Sequence, residues 1–549
     1  MVEIYFDEGA GFMKFDANHY PFASARNVIY GRGMVATSHP LASQAGLDVM
    51  KKGGNAIDAA IAAAACLTVV EPTSNGIGGD AFAIVHNGGK LHGLNASGPS
   101  PQSISLKAMK ERGHKEMPYY GMEPITTPGV VAGWVALSEK FGKLPLEEVL
   151  APAIDYAKNG HAVAPAVAKS WQRAYNVFAK KCQDEGEHFA PWLETFSSNI
   201  DKTRAPLAGE VWASKGHADT LADIANTGGK SFYEGALAKE IASFCEKHNG
   251  FLSYDDLASY KPAWEQLISI NYHGYDIWQM PPNGQGLVGL IALNILSGYE
   301  MDGSVESYHR AFEAIKLAFV VGKRAITDPL HMKESVQELL SMEYAKTLRD
   351  SITNTAAEPP SILPNYGGTV YLAAADDEGN MISYIQSNYA GFGSGMVVPG
   401  TGIALQNRGA DFSLDPNHIN VLAGGKKTYH TIIPGFLTQN DKAIGPFGVM
   451  GGYMQPQGHL QVMLNTIHNN LNPQAALDAP RWQWMTGKKF TVEHGFDRSL
   501  ALQLEARGHQ ITYPTNNGGF GRGQIIWRGE NGILCGGTES RCDGHIAVW

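Results

Sequence analysis

Residues Gly367-Gly368-Thr369-Val370-Tyr371-Leu372-Ala373-Ala374-Ala375 run into Asp376-Asp377-Glu378-Gly379-Asn380 and then Met381-Ile382-Ser383-Tyr384-Ile385. β-Branched and aromatic runs flanking a five-residue turn that contains glycine predict a β-hairpin. Its first residue is a threonine, which carries a hydroxyl, directly after a Gly-Gly pair and a proline-rich stretch that begins at Glu358. Taken alone, these residues read as an ordinary hairpin behind an exposed loop. A second glycine-rich stretch, Asn75-Gly76-Ile77-Gly78-Gly79-Asp80-Ala81, fits G-x-G-x-x-A. A helical pattern precedes it and a strand pattern follows, the reverse of a dinucleotide loop, so it reads as a turn where backbones approach closely. No nucleophile elbow, H-E-x-x-H or P-loop spacing occurs, and His39, His430 and His459 have no ligand spacing among 19 scattered histidines. The sequence therefore argues for no metal and no cofactor.

The elements that must position these residues have their own patterns. Leu41, Ala45 and Val49 repeat at helical spacing between Ser38-His39-Pro40 and Gly53-Gly54, predicting a helix over 41–52. Asn55 can cap a second, alanine-rich helix over 56–69, with Ile57, Ile61, Ala64 and Thr68 on one face. Further helices are expected over 128–141, 145–158, 287–296 and 305–327, and strands over 369–375, 381–388, 431–437, 524–528 and 545–549. The composition shifts from helix-rich to strand-rich near residue 360, within the punctuated loop 358–368. No internal repeat recurs.

Charged residues make up 17% of the chain and apolar ones 44%, with 63 glycines in 549 residues, the composition of a densely folded protein with many tight turns. A net charge of -10 offers no basic footprint, so neither nucleic acid nor a membrane surface is expected as a partner. Glu3, Asp7 and Glu8 stand where a secretory signal would need an apolar core, and the uncharged run 59–70 falls short of the roughly 18 residues of a membrane span. Five cysteines without CxxC spacing suggest neither a disulfide framework nor a zinc site. A cytoplasmic location with reduced thiols is the expectation.

Several motifs recur in a common order over about residues 30 to 545: Gly53-Gly54-Asn55-Ala56-Ile57-Asp58-Ala59-Ala60, the stretch from Glu71 to Gly79, Pro281-Pro282-Asn283-Gly284-Gln285-Gly286, the Gly-Gly-Thr hairpin, Phe392-Gly393-Ser394-Gly395, and Gly451-Gly452. In these the chain resembles the gamma-glutamyltranspeptidase family of N-terminal-nucleophile hydrolases. The resemblance implies an α+β fold, a four-layer αββα sandwich. It also implies self-cleavage: the Thr369 hydroxyl attacks the Gly368 carbonyl in an N-to-O acyl shift, with Ser387 assisting. Fragments 1–368 and 369–549, the second of 181 residues, would remain together as a heterodimer forming one compact domain. Gly368 is expected to tolerate a distorted backbone. The freed α-amine of Thr369, ordinarily of pKa about 7.7 to 8.0, would act as general base. Gly451 and Gly452 match the pair whose amides hold the oxyanion of the acyl-transfer transition state.

Donor recognition departs from the family pattern. Asn95 replaces the arginine that grips the donor's α-carboxylate, and His430-Thr431 replace a serine pair that contacts the same group. Asp411 matches the acid that binds the α-ammonium, while Arg408, where the family has glutamine or glutamate, could offer a two-pronged carboxylate contact or form a plain salt bridge. Only 17 residues separate Phe412 from His430, too few for a lid, so an open pocket is expected. The leading expectation is hydrolysis, or transfer, of the acyl group of small-molecule γ-glutamyl amides such as glutathione, with water or an amine as acceptor. The alternatives are a glutaryl- or cephalosporin-type acylase, against which Asp411 argues, and an unprocessed binding homologue.

Overall fold

The computed structural model describes residues 25–359, 368–514 and 519–549. Glu3, Asp7 and Glu8, and residues 360–367 of the loop expected to carry the cleavage, lie outside the described residues. Two antiparallel seven-stranded sheets form the centre. The first runs His545–Val548, Met34–Thr37, Gly368–Ala375, Met381–Tyr389, Asp80–Asn87, Lys90–Ala96, Ala263–Glu265. The second runs Ile29–Gly31, Leu534–Thr538, Arg522–Arg528, Lys442–Met450, Gly435–Gln439, Tyr275–Gln279, Ile268–Tyr272. Each sheet mixes strands from before and after residue 368.

Side-chain alternation explains the layering, because successive strand residues point to opposite faces. Tyr371, Ala373 and Ala375 join Phe82, Ile84, Phe436 and Ile526 in a core between the sheets. Their neighbours Val370, Leu372 and Ala374 face the other way, into a core with the alanine-rich helix Ala56–Val70. On the far side, Phe447 and Val449 pack with the helices Gly286–Leu296 and Val305–Ala325. The result is helix, sheet, sheet, helix. Asn55 caps the alanine-rich helix as expected: its Oδ1 accepts from the amides of Ile57 (2.9 Å) and Asp58 (3.0 Å), and Asp58 returns a bond to the Asn55 amide.

Two expectations need correction. The helix-rich to strand-rich shift hides the strands over 29–31, 34–37, 90–96 and 263–279, which with the strand that follows the Asn75–Gly79 turn are half of the sandwich. The strand expected over 431–437 begins at Gly435. Upstream of it, Ile432 donates its amide to His430 Nδ1 and Ile433 to Gln455 Oε1, and Pro434 has no amide, so this stretch cannot join a ladder. All five cysteines are free thiols, and among the described residues no helix is long and apolar enough to cross a membrane.

Candidate active site

The hairpin that opens at Gly368 is irregular at its start. Gly368 pairs with Tyr389 and Val370 with Gln386, and the register shifts between them, a bulge at Thr369. Thr369, 1% exposed, donates from Oγ1 to Ser387 Oγ across 3.1 Å. Ser387 Oγ donates in turn to the Gly368 carbonyl oxygen at 2.5 Å and accepts from the Tyr389 amide at 2.7 Å. A chain of hydroxyls therefore joins the threonine to the carbonyl that precedes it. Gly368 is required for space, not for a distorted φ. A Cβ there would lie 2.3 Å from the Gly391 nitrogen, and its φ is not positive.

The Asn75 to Gly79 turn packs against the second hairpin strand. Added Cβ atoms at Gly78 and Gly79 would fall 2.4 Å from the Ala404 oxygen and 2.5 Å from the Ser387 oxygen. This approach sets Asp80 opposite Ser387 in the sheet. Asp80 is fully buried. It accepts from Arg408 Nε (3.3 Å) and Nη2 (3.4 Å) and lies 2.6 Å from His430 Nε2. Burial pushes the Asp80 carboxyl up, but Arg408 and His430 override it and hold it below the usual carboxylate range. Burial and then Arg408 lower His430 to about 4. The ring is therefore neutral at pH 7, with Nδ1 accepting from Ile432 and the proton on Nε2 facing Asp80.

Arg408 also donates through Nη1 to Thr431 Oγ1 at 2.7 Å, and its guanidinium lies 4.5 Å over the Tyr389 ring. Its fork is thus filled from within the chain. Asn95 is likewise committed: Oδ1 accepts from the Ser97 amide and hydroxyl, and Nδ2 donates to Asn283.

The strand Lys442–Met450 crosses the strand of Thr369 through Gly448, where a Cβ would meet the Tyr371 ring at 2.4 Å. It ends in Gly451 (φ 137°) and Gly452 (φ 58°), before the helix Met454–Ile467. Positive φ at both positions excludes most side chains. Among the described residues no hydrogen bond takes either amide, leaving two donors, while Gln285 Nε2 pins the Gly452 carbonyl at 2.9 Å.

Tyr453 follows at once, and its hydroxyl donates to Asp411 Oδ1 at 2.7 Å. Lys323 reaches the same place from the helix Val305–Ala325. Its ammonium is 4.0 Å from Asp411 Oδ1, bonds to the Tyr453 hydroxyl, and sits 4.1 Å from both the Tyr429 and Tyr453 ring centroids. Burial lowers Lys323 to about 8, with Asp411 opposing the shift. Asp411 Oδ2 is buried without a hydrogen-bond partner. The segment after Asp411 turns away: Phe412, Leu414 and Leu422 pack against Ile104, Met109 and Met117.

Thr369, Ser387, Gly368, Arg408, His430 and Thr431 thus share one connected network through Asp80 and Tyr389, and Asp411 joins Tyr453 beside Gly451-Gly452. Asp80, Tyr389, Lys323 and Tyr453 were not foreseen. A signal existed for Lys323: Phe312, Lys316, Phe319 and Lys323 fall on one face of a helix whose phenylalanines are fully buried, so cations there must be used. Elsewhere, His309, Glu313 and His509 form a buried group of metal-ligand types, but Lys316 Nζ already lies 2.6 Å from Glu313 Oε1.

The gamma-glutamyltranspeptidase family model matches residues 42–549. The chain belongs to the gamma-glutamyltranspeptidase family. It is 36% identical over 532 residues to the glutathione hydrolase-like YwrD proenzyme of Bacillus subtilis, covering 94% of this chain and 99% of the relative. It is 34% identical over 530 residues to the oxamate amidohydrolase proenzyme of Klebsiella pneumoniae, covering 94% and 98%. The crystal structure of a cephalosporin acylase from Bacillus halodurans is 57% identical and superposes with a TM-score of 0.94, covering 98% of this chain and 99% of that one. The family assignment makes this chain a hydrolase of the N-terminal-nucleophile type, with the expected αββα sandwich.

Proposed function

We propose that the chain cleaves itself before Thr369 and then hydrolyses small-molecule amides through an acyl-threonine intermediate. The observation that carries this is the hydroxyl chain from Thr369 through Ser387 to the Gly368 carbonyl. As Thr369 Oγ adds to the Gly368 carbonyl carbon, its proton passes to Ser387 Oγ, and the Ser387 proton moves onto the carbonyl oxygen. Collapse re-forms the carbonyl, the proton of its oxygen passing to the departing Thr369 nitrogen, and leaves an ester and a free amine. Water opens the ester to a Gly368 carboxylate and a Thr369 with free hydroxyl and amine. The amine then takes the hydroxyl proton as Oγ adds to the donor amide, and the Gly451 and Gly452 amides are the donors available for the oxyanion. Several relatives carry names of proenzymes, which agrees with a cleaved product.

For the donor, two acyl groups fit a five-carbon chain ending in a carboxylate. A γ-glutamyl group carries an α-ammonium for Asp411; a glutaryl group does not. The second is favoured by Lys323, which already brings an ammonium to Asp411, and by the likeness to a cephalosporin acylase. A denaturing gel tests the chemistry: the purified protein gives two bands, cut after Gly368, and Thr369→Ala gives one band and no amide hydrolysis. A wild-type chain that stays intact while folded would sink the proposal.

A further inference from the structure

We propose that Lys323 determines donor specificity by standing in for the donor's α-ammonium, so that the pocket selects acyl groups bearing a carboxylate and no amine. The inference deepens the functional reading above and rests on it. Lys323 and Asp411 connect to Thr369 through a chain of contacts in which Arg408 and Asp411 are the two ends of one short 3-10 turn. Ser387 bonds Thr369, Tyr389 donates its amide to Ser387, Arg408 lies over the Tyr389 ring, and Tyr453 joins Asp411 to the Gly451-Gly452 turn.

Charge in this region is balanced within the protein. Arg408 is matched by Asp80 and Lys323 by Asp411, while His430 is neutral. A donor ammonium arriving at Asp411 would meet Lys323 on the same carboxylate and would have to displace it from two aromatic faces and from the Tyr453 hydroxyl. A donor carboxylate meets the opposite situation. Of the three protons of the Lys323 ammonium one goes to the Tyr453 hydroxyl, the Tyr429 and Tyr453 rings and the Asp411 carboxylate stand about it at 4.0 to 4.1 Å, and the side chain keeps 17% of its surface exposed. Asp411 had argued for an amine-bearing donor because a buried carboxylate needs a cation. Lys323 supplies that cation from inside the chain on the Oδ1 side, at 4.0 Å, while Oδ2 keeps no hydrogen-bond partner.

The test compares wild type with Lys323→Met and Lys323→Arg, using glutaryl-p-nitroanilide and γ-glutamyl-p-nitroanilide. Wild type should favour the glutaryl donor by about tenfold or more in kcat/KM, the value of one charge-assisted contact. Lys323→Met should raise KM for the glutaryl donor and lower it for the γ-glutamyl donor with little change in kcat, and Lys323→Arg should keep the wild-type preference. Calorimetric binding of glutarate and of L-glutamate reads the same selectivity without turnover. Wild type should bind glutarate more tightly and Lys323→Met should reverse the order. Preference for the amine-bearing partner in wild type, or equal effects of Lys323→Met on both, would overturn the inference. Loss of hydrolysis of both anilides with glutarate selectivity intact would instead sink the functional reading and leave the role of Lys323 standing.

Discussion

At the scale of single residues, the proposed cleavage depends on two hydroxyls and one missing side chain. Ser387→Ala removes the donor to the Gly368 carbonyl, and self-cleavage should slow by about 100-fold, the cost of losing one oxyanion donor. A gel time course after refolding checks this, and unchanged kinetics would return Ser387 to a structural role. Gly368→Ala inserts a methyl group 2.3 Å from the Gly391 nitrogen. It should destabilise the chain by about 1 to 3 kcal/mol through overpacking and hold it uncut. The threonine, serine and glycines of this site were legible in the sequence, because their positions in a family motif carry over one by one. Lys323 and Asp80 were not, since each acquires its role from a partner distant in sequence, Asp411 and Arg408.

At the scale of elements, the site is positioned by turns and caps more than by long helices. The bulge at Thr369, the glycine turn before Asp80 and the Gly451-Gly452 turn each end or begin a strand at the point where chemistry is needed. The alanine-rich helix supports the nucleophile's strand from behind, and its start depends on Asn55, which also donates to the Phe141 carbonyl at 2.6 Å. Asn55→Ala should lower stability by about 1 kcal/mol or somewhat more, read as a lower urea midpoint with an unchanged slope. Retention of the wild-type midpoint would show that the cap is dispensable. Helix boundaries around Asn55 were readable because cap and stop residues are local signals. The segment before Gly435 was misread because β-branched residues there bond to side chains, which propensity does not reveal.

At the scale of the whole molecule, both sheets interleave strands from the two sides of residue 368, so the fragments should remain associated after cleavage. Size exclusion in native buffer should give one species holding both bands, separable only by denaturant. The second sheet is tied to the strands over 482–492 by a buried network. Glu539 accepts from Arg481 (2.8 Å), Arg541 (2.7 Å) and the Gly523 amide (2.8 Å), and Arg541 also grips Glu493. Burial raises the Glu539 carboxyl, but Arg481 and Arg541 bring it down to about 2, against 4.5 when free. A depressed acid stabilises the fold fully above the free value, and the gain fades as pH falls from 4.5 to about 2. Glu539→Gln should cost about 3 kcal/mol at pH 7, with the gap to wild type narrowing through that window. A gap independent of pH would mean that the charge of Glu539 is not what stabilises the network.

The sequence alone determined the class of protein, because its motifs stand in the family's order along the chain, and through that resemblance it pointed to Thr369 as nucleophile and Gly368 as processing point. Only the tertiary structure decided which cation meets which carboxylate. Arg408 could not be assigned between donor and salt bridge until its fork was seen on Asp80 and Thr431. In the sequence Asp411 argued for an amine-bearing donor, and the structure adds Lys323 beside it, 4.0 Å from Oδ1. Charge pairing acts through space over a few ångströms, and 88 positions along the chain separate Lys323 from Asp411.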